Sequence, residues 1–282
     1  MNRRSPHAPG TPLAHSLTRR VALAVCGGAM LTLVAACGPT PKDESGRVRR
    51  VGVVILTQSS AAATPAGQAA FVELTEARTR ASMEYALNPA VGTCTVGAPH
   101  AAGAGAVEAA AGGARLNVGT AGLNANGLPF GELQPTGTGA YRLSGATGPL
   151  PVAGLTLTVP NGAAYPGVDA LAVATGQTPV LAAGIDASAI GLDTEFRWQP
   201  SSGAATLLLM GTGSGVAFSC FADDAAGSFE FPEATRSELA AAGFTLGQLG
   251  VLGRLTTTTA TVGESDLLLV GVLRLVALGS DQ

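Results

Sequence analysis

The chain has 282 residues, with 16 Lys+Arg against 19 Asp+Glu and a formal net charge of −3. Its arginines are dispersed or gathered at the N-terminus, which argues against the continuous basic face that nucleic-acid binding requires. One Trp and three Tyr leave little aromatic surface for stacking sugars, and 39 Gly with many Ala point to short, turn-punctuated elements.

Residues 1–20 carry Arg3, Arg4, Arg19 and Arg20 and no acid, and residues 21–36 are almost wholly apolar or small. A basic flank, an apolar run and small residues before a cut define a secretory signal. The run is shorter than the roughly 20 apolar residues of a membrane span. It closes on Leu33-Val34-Ala35-Ala36-Cys37-Gly38, which resembles a bacterial lipobox. The expectation is that residues 1–36 are removed, Cys26 with them, and that Cys37 is lipidated as the first mature residue. The bland alternative is ordinary cleavage beside an incidental thiol. Thr18-Arg19-Arg20-Val21-Ala22-Leu23 resembles a twin-arginine export signal without its Phe, and ordinary Sec export is the equal alternative. Each buried methylene of an acyl chain contributes roughly 0.8 kcal/mol, so the two or three chains of a lipoprotein make release negligible. Gly38, in place of the Asp that retains lipoproteins in the inner membrane, points to the outer membrane of a two-membrane envelope.

Counted from Cys37, 12 basic residues face 19 acidic ones, about seven net negative charges, with Lys42 the one lysine and His100 the one histidine. Residues 37–50 read as the lipidated N-terminus and a polar tether. Arg47, Arg49 and Arg50 form its basic cluster, set either against anionic head groups or in a solvated linker.

From 51 onward, short runs of strand character alternate with turn-formers, the pattern of a sandwich or barrel. The first set is 51–57, 70–76, 91–96, 115–119, 140–144 and 154–159, with turns at Asn124-Ala125-Asn126-Gly127 and Pro160-Asn161-Gly162. Leu155, Leu157 and Val159 alternate with threonines, as a sheet with one wet side requires. The second set is 194–198, 206–210, 216–221, 228–231, 250–262 and 266–278. The last run is apolar on both faces except at Arg274, which predicts a central, doubly covered strand. One helix is predicted, with Pro232 in its first turn, a body over 233–240 and a stop at Gly243. Residues 101–113 are nearly pure Ala and Gly and read as a loop. Gly176-Gln177-Thr178-Pro179 suggests a boundary. The expected fold is therefore all-β, with two β-sandwich-like domains over 51–175 and 176–282 and one short helix in the second.

The order of these pieces resembles a group of uncharacterised bacterial lipoproteins that have a lipobox signal and two β-sandwich-like domains. The matching segments are Gly92-Thr93-Cys94-Thr95-Val96, Ala121-Gly122, Tyr141, residues 154–159, Phe196-Arg197-Trp198, residues 206–210, Phe218-Ser219-Cys220-Phe221, and Gly227-Ser228-Phe229-Glu230-Phe231-Pro232. Members commonly carry a further cysteine upstream of the first-domain one, and this chain has none between Cys37 and Cys94. The resemblance implies fold and address and brings no activity.

Cys94 and Cys220 remain in an oxidising compartment, either bridged or as two buried thiols. Two cysteines without a CxxC spacing and a single histidine do not make an ordinary structural zinc site, so no metal or other cofactor is expected. A catalytic triad would need His100, which sits in a loop at Pro99-His100-Ala101. Gly211-Thr212-Gly213-Ser214-Gly215 places its serine one position late for a nucleophile elbow and reads as a hairpin turn. Lys42 lies in the tether. The acids Asp186, Asp193, Glu195, Asp223 and Asp224 surround Trp198 in sequence. They suit calcium or glycoside hydrolysis in principle, and turn chemistry more simply. Trp198 reads as a core anchor.

No catalytic residue is assigned. The leading expectation is a membrane-anchored envelope lipoprotein with a binding or structural role and an envelope protein or glycan as partner. Confinement by the anchor would raise local concentration at the surface. The alternative is an extracytoplasmic hydrolase or carbohydrate-binding protein with an acidic site near Trp198. A third reading is an assembly factor that lends an edge strand.

Overall fold

The computed structural model describes residues 47–87, 90–97, 113–137 and 139–278. The signal segment 1–36, Cys37, Gly38, Lys42, His100 and all of the Ala/Gly tract except Gly113 lie outside the described residues. The chain is all-β, as its strand-and-turn pattern predicts. It opens with β1 (Arg47–Gln58) and β2 (Ala66–Thr79), which runs directly into helix α1 (Arg80–Leu87). Two short strands follow, β3 (Thr93–Val96) and β4 (Gly113–Arg115). A meander then comprises β5 (Ala121–Ala125), β6 (Leu128–Pro135), β7 (Ala140–Ser144), β8 (Leu155–Val159) and β9 (Val168–Val173). The C-terminal stretch contains β10 (Phe196–Arg197), β11 (Thr206–Gly213) and β12 (Val216–Asp223). After a 3-10 turn (Asp224–Ala226) come β13 (Ser228–Phe229), helix α2 (Glu233–Ala241), β14 (Gln248–Val262) and β15 (Asp266–Ala277).

One 13-stranded sheet takes in every strand except β10 and β13, in the order β3-β12-β11-β14-β15-β1-β2-β7-β6-β5-β8-β9, with β4 also paired to β2. Its centre joins the two ends of the chain: β15 runs parallel to β1 and antiparallel to β14. Residues 267–272 of β15 are buried on both faces, which explains their unbroken apolar run. The sheet therefore crosses position 176, with β1 and β2 from before it bordering β14 and β15 from after it. β10 and β13 form a separate two-stranded ribbon.

The predicted alternation of β8 is reproduced residue by residue, with Leu155, Leu157 and Val159 buried between half-exposed threonines. Asn126 and Gly127, at φ 52° and 80°, make the left-handed turn that joins β5 to β6. The sequence announces that turn, but not the two strands around it or β9. Helix α2 begins after Pro232 and is followed by Gly243 at φ 84°, as expected. Helix α1 is additional to the single helix predicted. Ser82 N–H donates to Thr79 Oγ1, Arg80 pairs with Glu84 at 2.7 Å, and Met83 is buried against the sheet. Its register is set by that packing, because Met83 is buried while Arg80, Ala81 and Ser82 are exposed.

Three apolar cores result. On one face of β1, β2 and β15, Val54, Leu56, Phe71, Leu268 and Val270 pack against Leu123, Leu133, Leu155 and Leu157 of the meander. The opposite face holds Val51, Val53, Val72, Leu267 and Leu269, with Met83. The third core gathers Leu207, Leu209, Phe218 and Leu252 under Ile190, Phe196, Trp198, Phe231 and Leu239.

Two tyrosines are set into the first core. Phe71 meets the rings of Tyr141 and Tyr165 edge-on at 5.3 and 5.2 Å. Tyr141 Oη accepts from Val118 N–H, and Tyr165 O–H donates to Leu267 O. Burial pushes both phenols above their ordinary value, and for Tyr165 the nearby Asp266 carboxylate adds to the effect. A raised folded value means that the stability is intact below the unfolded phenol's value of about 10 and is lost as pH rises above it. The unfolding free energy measured in urea should therefore fall as pH rises past ~10, by up to about 1.4 kcal/mol per pH unit for the Tyr165 phenol. Tyr165→Phe should show a shallower fall; identical slopes would mean that this phenol ionises in the folded protein.

Candidate functional site

The strongest concentration of buried polar chemistry lies where the first and third cores meet. Leu207, Arg254, Arg274 and Gln58 stand side by side on β11, β14, β15 and β1. Both arginines are about 3% exposed. Arg254 directs Nε and Nη2 at Asp224 Oδ1, at 3.0 and 2.8 Å. Its Nη1 donates to Gln177 O and its Nη2 also to Gln199 O. Asp224 is fully buried and accepts at Oδ2 from Ser201 N–H at 2.8 Å and Ser201 O–H at 2.5 Å. Trp198 Nε1 donates to the backbone carbonyl of Asp224 at 2.9 Å.

Arg274 is held differently. Its Nε donates to Thr175 O, Nη1 to Gln58 Oε1, and Nη2 to Leu150 O and Pro151 O. Burial lowers the guanidinium from its ordinary value, against a shell of neutral acceptors. Thr256 and Thr258 extend the seam by bonding the backbone of Ala174. The arginines thus fasten the crossing segments around 150, 175, 177 and 199 to the middle of the sheet.

The predicted acids do not converge on Trp198. Asp186 accepts from the amide and hydroxyl of Ser188, with the hydroxyl the larger cause of its lowered value. Asp193 is exposed, 3.6 Å from Arg236. Glu195 pairs at 2.6 Å with Arg197, whose hydrogen bond lowers its value. Asp223 caps the 3-10 turn by accepting from Ala225 N–H. Only Asp224 reaches Trp198, and its carboxylate is already bound. Trp198 itself is 4% exposed within the third core. Among the described residues no three His, Cys, Asp or Glu side chains are grouped so as to hold a metal.

The basic cluster of the predicted tether is part of a strand. β1 begins at Arg47, and Arg50 donates from Nε and Nη2 to the two carboxylate oxygens of Asp266, at 2.8 and 2.7 Å. Cys94 and Cys220 are joined by a disulfide, directly opposite one another on β3 and β12 with Cα atoms 4.1 Å apart. Ser214 and Gly215, at φ 52° and 78°, form the hairpin turn between β11 and β12. That turn lines an open groove of about 470 Å³ together with Ser188, Leu246 and Gln248, and among the described residues no ionisable side chain lines it. Among the described residues, no helix is long and apolar enough to cross a membrane.

The Asp224–Arg254 pair could have been suspected from one arginine inside the otherwise uncharged run 250–262, since buried cations need partners. Removing one member leaves the other charged and dry, at a cost of about 3–5 kcal/mol. Arg254→Met should therefore lower the unfolding free energy measured in urea by that much, and adding Asp224→Leu should restore most of the loss. A single-variant cost under about 1 kcal/mol would show that the pair is dispensable. Comparison with protein-family models, with curated proteins and with solved structures finds no significant match to this chain.

Proposed function

We propose that the chain is a lipid-anchored protein of the bacterial cell envelope, held at the outer membrane, whose β body serves a binding or structural role without catalysis. The observation that carries this reading is the run Leu33-Val34-Ala35-Ala36-Cys37-Gly38 behind a basic and then apolar segment. A thiol at that point is what acyl transfer needs. The body is consistent with it: β1 begins at Arg47, shortly after Cys37, and a disulfide suits an oxidising compartment.

The side-chain chemistry supports a holding role. Asp224, Arg254, Arg274 and Asp266 are consumed in bonds that join segments of the body. The hydrolase or carbohydrate reading needs acids that open towards Trp198. Here Asp186, Asp193, Glu195 and Asp223 point to separate local partners, and the indole is in the core. An envelope protein or a glycan is the partner class we favour, engaged at a surface that the anchor confines to the membrane.

Metabolic labelling with a fatty acid tests the anchor. The wild type should incorporate label and sediment with the outer membrane, whereas Cys37→Ser should be unlabelled and leave the membrane fraction. Equal labelling of the two would overturn the lipoprotein reading.

A further inference from the structure

The end of the sheet at β3 is built in an unusual way. β3 is four residues long, none of them fully buried, and its only neighbour among the described strands is β12. Cys94 and Val96 turn inward against the third core, while Thr93 and Thr95 face out. Backbone bonds from Gly92 N–H to Phe221 O and from Gly97 N–H to Ala217 O bracket the pairing. So short a strand, with so little apolar area, has a weak hold of its own. Thr95 Oγ1 lies 2.7 Å from the buried Ser219 Oγ and α2 contacts the strand, and the covalent bond from Cys94 to Cys220 is the one fastening that thiol chemistry can release.

β12 is the opposite case. Phe218, Cys220, Phe221 and Ala222 are buried, and its far edge is locked to β11 over eight residue pairs. If β3 left, residues 217–221 of β12 would present unpaired backbone donors and acceptors beside the apolar floor of Phe218 and Leu239. An edge of that kind is a template for an added strand.

From this we infer that β3 is a redox-latched cover, and that the edge of β12 beneath it accepts an extended peptide strand once the Cys94–Cys220 bond is reduced. The fitting partner places small apolar side chains at alternate positions, where Cys94 and Val96 now sit, and polar ones between them. Opening requires a dithiol reductant. Its thiolate attacks Sγ of Cys94, the less buried of the two residues, forming a mixed disulfide and releasing Cys220 as a thiolate that takes a proton. The second thiol of the reductant then displaces Cys94, which is protonated in turn. Two electrons and two protons pass to the protein, and the reductant leaves as a cyclic disulfide. The inference concerns the body alone and does not depend on acylation of Cys37.

The test uses the full chain, oxidised or treated with dithiothreitol, and a fluorescent synthetic peptide copying residues 91–97 with Cys94→Ala. On reduction, amide exchange should accelerate at least tenfold over 93–96 and 217–221 and stay unchanged over 267–272. The peptide should bind the reduced chain at least tenfold more tightly than the oxidised one. The double variant Cys94→Ser, Cys220→Ser should bind it without reductant. Unchanged exchange at 217–221, equal peptide binding in both redox states, or loss of protection throughout β15 on reduction would each overturn the inference. The last result would make the bond a staple of the whole fold.

Discussion

Two guanidinium groups sit in the dry interior on neighbouring strands, and the architecture is arranged to satisfy them. Moving an ion out of water costs several kcal/mol even after relaxation, and good geometry must offset it. Arg254 recovers this through Asp224, which is itself steadied by the amide and hydroxyl of Ser201. Arg274 has Gln58 and three backbone carbonyls among its partners. Those carbonyls belong to Leu150, Pro151 and Thr175, and those held by Arg254 to Gln177 and Gln199. Every one lies in an irregular segment that would otherwise cross the sheet with unpaired backbone. The seam stores an unmet demand as well: Thr175 Oγ1 is buried with no hydrogen-bond partner. A hydroxyl left in that state is the weakest point of an otherwise connected network.

This constraint bears on function through what it removes from the surface. A β body with few charges has withdrawn two arginines and two carboxylates, Asp224 and Asp266, into positions where they join distant parts of the chain. Of the four acids near Trp198 in sequence, Asp186 and Asp223 accept local N–H bonds and Asp193 and Glu195 lie beside arginines, and the groove at the β11–β12 turn is lined, among the described residues, by no ionisable group. Such a surface suits contacts of shape and backbone hydrogen bonding, in keeping with the binding or structural role proposed above.

The sequence was legible where structure is local. β7 spans the residues its pattern marks, β8 follows its Leu-Thr alternation, and α2 starts and stops at Pro232 and Gly243. Reading weakened where long-range packing sets the outcome. β5 and β6 flank a plain Asn-Gly turn, but Gly122, Pro129 and Gly131 lower their strand signal. α1 follows β2 with no Gly or Pro to punctuate the change. Of the candidate site, Arg274 stood out as the lone charge in an apolar run, yet Asp224 was indistinguishable from Asp223 beside it. One residue of register separates an exposed turn cap from a buried counter-ion, and that difference is set by the fold of β12 into the following 3-10 turn.

The two ends of the sheet handle the same hazard by different means. An open strand edge invites pairing with another chain, and proteins suppress it with charge, bulges or a cover. At the β9 end the register slips between Leu157 and Val159, and Ala170 adopts φ 50° with its N–H turned to Thr158 Oγ1. Asp169 is exposed on that strand, and Ala174 just beyond it is drawn to Thr256 and Thr258 of β14. That edge is spoiled for pairing by backbone shape and charge, neither of which reverses easily. Among the described residues the β3 end has no bulge and no acid; its short strand is held by backbone pairing, by Thr95 against Ser219 and by one covalent bond whose state depends on the surrounding thiol chemistry. The proposed release would not require unmaking the strand beneath, because β12 is paired with β11 over eight residue pairs and sets Phe218 and Cys220 into the third core.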